Sequence, residues 1–68
     1  MLQRADHQAL RQALMALPAR RREAIVLRYW LGLSEAETAQ AMGVSPGTVK
    51  SQVSRGLTAL GKALEERS

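Results

Sequence analysis

The run Gly43-Val44-Ser45-Pro46 limits this chain more than any other stretch of it. Glycine accepts the left-handed backbone that closes a helix, and serine caps the next helix through its hydroxyl. Proline suits a first helical position, where its missing amide is not needed. One helix therefore has to end near Met42 and another begin near Pro46, with three residues between them. Two helices joined so tightly must cross. The rest of the chain has to supply a core against which the crossed pair can rest.

The same punctuation recurs upstream. Ser34 followed by Glu37 fits a capping box, which starts a third helix, and Thr38, Ala39 and Met42 form its inward face. Pro18 divides the preceding residues in two, because the residue before a proline is pushed out of the helical region while the proline itself opens the next helix. Asp6 is a capping residue for the first helix, on which Leu10, Leu14 and Leu17 step along one face. Gly32 stops the second. Beyond Pro46, Val49, Val53, Leu57, Leu60 and Leu64 make one inward stripe. No sustained two-residue alternation marks a strand. The reading is an all-α chain of four helices, at about 6–16, 18–31, 34–42 and 46–65, forming one unit over 1–68 without a wing.

Composition removes other classes. A chain of 68 residues has a marginal core, and with no cysteine and one histidine nothing staples it by disulfide or zinc. No metal or cofactor is expected. No apolar run approaches the ~18 residues of a membrane span, and the start MLQRADHQ is unlike a signal peptide. The expectation is a soluble, cytoplasmic protein with no membrane partner. Aromatic residues are 3% of the chain against 46% hydrophobic, so the core has to be aliphatic.

Charge gives the first functional signal. The net value is +4, but residues 18–33 carry +3 (Arg20, Arg21, Arg22 and Arg28 against Glu23), residues 34–44 carry −2, and residues 45–62 carry +3. On the fourth helix, Ser51, Arg55, Thr58 and Lys62 fall together opposite the apolar stripe, flanked by Thr48 and Ser54. That face holds no acid. A short capped helix, a glycine turn and a longer capped helix with a basic outer face make a helix-turn-helix, whose second helix enters the DNA major groove. For Arg20, Arg21 and Arg22 an ordinary solvated face is as good a reading as a functional one.

The residues from LPARRR through LRYW, LSEAETA and GVSPGTVKSQVSRGL resemble, in order and at the right spacing, region 4 of bacterial extracytoplasmic-function sigma factors of the SigE-like branch. The resemblance covers most of the chain. It implies recognition of the −35 promoter element, docking on the β-subunit flap of RNA polymerase core, blocking by an anti-sigma factor, and no enzymatic activity. Carried over by position, the groove-facing residues are Thr48, Lys50, Ser51, Ser54 and Arg55, and the phosphate contacts are Arg28 and the third helix's start at Ser34 and Glu35. Lys50 lies at the edge of the apolar stripe and is expected to reach toward phosphate. Arg55 is the residue best suited to bidentate contact with guanine. Glu35 is acidic at a backbone-facing position, so its amide rather than its carboxylate would serve there. Relatives also carry a −10-binding domain, so the chain is expected to be part of a longer protein.

Two other readings have different chemistry. The chain could be chiefly a protein-interaction module for an anti-sigma factor or activator, or a LuxR-type regulator domain that dimerises on palindromic sites. The second half of the second helix is apolar nearly all round, and with the first helix it supplies a partner surface at Leu14, Val26 and Trp30. Trp30 fits either a core cap or a partner anchor. Met15 and Met42 read as core fillers, and His7 as an exposed helix residue. Gly56 and Gly61, inside the fourth helix, either permit close packing or weaken it.

Overall fold

The computed structural model describes residues 4–66, with side chains described from residue 7. The described residues form four helices: α1 (Arg4–Ala16), α2 (Ala19–Ile25, continued by a π-helical turn over Val26–Trp30), α3 (Glu35–Met42) and α4 (Pro46–Glu66). No strand occurs among the described residues. The expected all-α fold with a helix-turn-helix in its C-terminal half is what forms.

Local chemistry sets the boundaries. α1 already includes Arg4, so Asp6 stands inside the helix and not at its cap; its side chain lies outside the described residues. Pro18 sits one position earlier than expected. It is the residue before α2, in extended backbone (φ −54°, ψ 142°), and its carbonyl accepts from the amides of Arg21 and Arg22 at 3.0 and 3.1 Å. The end of α2 differs more. The Leu31 amide reaches the Val26 carbonyl at 3.0 Å and the Leu33 amide the Leu27 carbonyl at 2.9 Å, spacings wider than an α-helical turn. Gly32, at φ +70°, supplies the left-handed step that turns the chain back.

α4 forms the common wall of two small cores. Toward its start, Val49 joins Ala24, Ala39 and Met42, with Leu27, Val44 and Val53 packed around them. Toward its end, Leu60 joins Ala13, Leu17 and Ile25, with Leu14, Ala59, Ala63 and Leu64 alongside. Ala24 and Ile25 are neighbours in sequence and feed different cores, so α2 lies between them. At the crossing Gly56 is buried, and a Cβ there would overlap Ile25 Cδ1 and stand 3.3 Å from Ile25 Cγ1. Gly56 therefore permits the close approach, whereas Gly61 faces open space.

Two expectations about the core are overturned. Leu57 is 43% exposed: with the helices in contact at Gly56, the inward line of α4 runs through Gly56 and leaves Leu57 beside it. Met15 is 64% exposed, because Ala13 and Leu17 take the buried line of α1 and Met15 lies about 200° round the helix from Leu17. Met42 is buried as expected.

Candidate nucleic-acid interface

The turn between α3 and α4 is built from the residues that announce it. Ser34 Oγ accepts from the Glu37 amide at 3.0 Å and Glu37 Oε1 accepts from the Ser34 amide at 2.8 Å, which completes the capping box. The Ser34 amide donating to its carboxylate, with the Ser34 hydroxyl beside it, holds Glu37 below the usual carboxylate range. Gly43 closes α3 at φ +71°, and the Val44 amide returns to the Ala39 carbonyl at 3.0 Å. Ser45 Oγ then accepts from the Thr48 amide at 3.1 Å and lies 2.9 Å from Thr48 Oγ1. The crossed pair rests on Ala39, Met42 and Val49.

This framework sorts the eight groove residues. Arg28, Glu35, Lys50 and Ser54 line one cleft of about 290 Å³ between the end of α2, the start of α3 and the near side of α4. Ser51 and Arg55 are exposed on α4 outside that cleft, where the helical wheel puts them. Thr48 is exposed, but its hydroxyl is shared with Ser45. The Ser34 hydroxyl is committed to its capping bond, and its place at the head of α3 is what remains open to a ligand. Lys50 is exposed, and neither it nor Arg55 makes a hydrogen bond or ion pair to any described residue.

Arg28 is partly committed. Its Nη1 donates to the Leu33 carbonyl, which pins the loop between α2 and α3, and the residue lines the cleft. The cleft also contains Tyr29, Val53 and Leu57, none of which the sequence marks as a site residue. Tyr29 directly follows Arg28 and stands exposed in the widened turn at the end of α2, for which the sequence carries no clear sign.

A second concavity, of about 570 Å³, joins all three expected partner residues. Leu14, Val26 and Trp30 line it together with His7, Leu10 and Arg11. Trp30 is 55% exposed, so it caps no core and forms part of this groove. His7, Leu10, Arg11 and Leu14 follow the i, i+3, i+4, i+7 spacing of one helix face, a signal that was present in the sequence. Among the described residues no group of three metal-binding side chains occurs, and no helix is long and apolar enough to cross a membrane.

Comparison with known proteins agrees with this geometry. Residues 7–60 match the family model described as Sigma-70, region 4. The chain is 45% identical over 65 residues to an RNA polymerase sigma-E factor of Streptomyces antibioticus, covering 96% of this chain and 36% of that protein. It is 43% identical over 65 residues to the RNA polymerase sigma-E factor of Streptomyces coelicolor, covering 96% of this chain and 37% of that protein. It is 43% identical over 56 residues to the ECF RNA polymerase sigma factor SigM of Mycobacterium tuberculosis, covering 82% of this chain and 29% of that protein. The chain thus spans about a third of the length of the curated relatives it matches, from 29% to 37%. With the capped helix-turn-helix and the family match over most of its length, the chain belongs to the sigma-70 region 4 family.

Proposed function

We propose that this chain is the promoter-reading unit of a sigma factor: it recognises the −35 element of double-stranded DNA through α4 and docks on RNA polymerase core for transcription initiation, in the cytoplasm. The observation that carries the reading is the outer face of α4, where Ser51 and Arg55 stand exposed beside a cleft lined by Arg28, Lys50 and Ser54. Arg55 reads a base edge by bidentate hydrogen bonding, and Lys50 and Arg28 hold the phosphate backbone. The Glu35 amide, Ser34 and Thr48 form the rim at the two helix starts. No catalytic role is assigned to any residue.

The test compares a duplex selected from a randomised pool with a scrambled duplex. Arg55→Ala is expected to lower discrimination by about 1–3 kcal/mol, and Lys62→Ala to weaken both duplexes alike. Equal loss on both duplexes for both variants would remove the assigned roles.

The apolar groove on α1 and α2 favours a second activity alongside the first. Leu14, Val26 and Trp30 suit the polymerase flap or an anti-sigma factor. Capture of RNA polymerase core that survives loss of Lys50 and Arg55 but fails with Trp30→Ala supports that use; capture insensitive to Trp30 counts against it. The sigma-70 region 4 match leaves no observation in favour of a LuxR-type dimer.

A further inference from the structure

α3 ends without help from its own side chains: its last turn contains no basic residue. The Gly43 amide returns to Gln40 at 3.3 Å and the Val44 amide to Ala39 at 3.0 Å, which leaves two carbonyls, that of exposed Ala41 and, last in the helix, that of Met42, to be met from elsewhere. Arg20, 22 positions earlier on α2, meets that of Met42. Its Nη2 donates to the Met42 carbonyl at 2.9 Å while its Nη1 donates to Glu23 Oε1 at 2.9 Å. One planar guanidinium is thus held at both terminal nitrogens, and its positive charge sits at the negative end of the α3 dipole.

Met42 immediately precedes the turn that sets the angle of α4, so a shift of its carbonyl is carried into the whole groove-facing helix. We propose that Arg20 is a positioning residue for DNA recognition: it fixes α3 to α2 just before the turn, holds α4 at its reading angle, and touches no DNA itself. The role rests on the DNA reading above. It also predicts a signature that a phosphate contact would not give. A lost phosphate contact weakens all sequences alike and flattens the salt dependence, whereas a lost positioning contact lowers sequence discrimination at unchanged salt dependence.

The experiment measures binding of the 68-residue chain to a duplex selected by the unaltered protein from a randomised pool and to a scrambled duplex, each across a salt series. For Arg20→Met the ratio of the two affinities is expected to fall about tenfold, with the slope of log K against log salt unchanged. Arg20→Lys keeps the charge but cannot fork to Met42 and Glu23 together, so its ratio should lie between. Should Arg20→Met lose its helical circular dichroism, Arg20→Lys decides by the same two quantities. A slope shallower by about one with equal loss on both duplexes would make Arg20 a phosphate contact and overturn the proposal. An unchanged ratio would overturn it as well. If the unaltered protein enriches no sequence from the pool, the DNA reading fails first, and the role of Arg20 fails with it.

Discussion

Residues 18–33, which hold α2, and residues 45–62, which hold most of α4, each carry an excess charge of +3 and use it in opposite ways. On α2 three of the four arginines turn onto backbone: Arg20 onto Met42 at the end of α3, Arg22 onto Met15 in the last turn of α1 at 3.3 Å, and Arg28 onto Leu33 in its own terminal loop. Neither α1 nor α3 has a basic residue in its own last turn, so α2 supplies the cations that those helix ends lack. On α4, Lys50, Arg55 and Lys62 are exposed and make no hydrogen bond or ion pair to any described residue. The difference shows that charge count does not assign function. A cation whose hydrogen bonds are spent on carbonyls holds the fold, one that keeps them is available to a ligand, and Arg28, with one nitrogen bonded to Leu33 and its place in the cleft, stands between the two.

The contrast is broken most directly by removing one cation of each kind. Arg28→Met leaves the half-buried Leu33 carbonyl unpaired and is expected to cost about 1–3 kcal/mol in thermal or urea unfolding. Lys50→Met should stay within about 0.5 kcal/mol of the unaltered protein. If the two variants unfold alike, the division fails.

Next in size is the contact that joins the two helices. Gly56→Ala drives a methyl into Ile25, and overpacking of ~1–3 kcal/mol set against the ~1 kcal/mol of helix propensity gained leaves a net loss of up to about 2 kcal/mol. Gly61→Ala, in open space on the same helix, should gain up to ~1 kcal/mol. Opposite signs in parallel melts are the expected result.

The smallest effect concerns pH. Because the folded protein holds Glu37 below its ordinary range, the capping box contributes fully above the unfolded value and is lost as pH falls through the lower folded one. Acid titration of stability should therefore bring the unaltered protein and Glu37→Gln together at low pH and separate them near neutrality.

Most of the framework was legible because it depends on short-range chemistry. The Ser34 box, the Gly43 turn, the Ser45 cap and the inward residues of α3 are each set by neighbours within four positions. The rest depends on how helices meet. A wheel built on Val49, Val53, Leu57 and Leu60 ignores glycine, yet Gly56 is where α2 comes closest, and that approach moves Leu57 into the cleft. Residue type suggests a core place for Met15, but its angle on α1 puts it outside. The targets of Arg20 and Arg22 are carbonyls on other helices, and nothing in a run of arginines reveals which end each will reach. An acid-free face opposite an apolar stripe makes Ser51, Ser54 and Arg55 visible in sequence, whereas Lys50, at the edge of that stripe, is pointed to only by the family resemblance. That Arg28, Glu35, Lys50 and Ser54 share one cleft needed the widened turn at the end of α2.

The central claim, that α4 faces DNA while α2 braces it, is tested most directly by a residue-resolved footprint. Amide chemical shifts of the chain titrated with the selected duplex should move most over 48–55, with lesser shifts at Arg28, Ser34 and Glu35, and little change at Leu10, Leu14 and Trp30. Shifts centred on the α1 and α2 groove, with the outer face of α4 silent, would contradict the account.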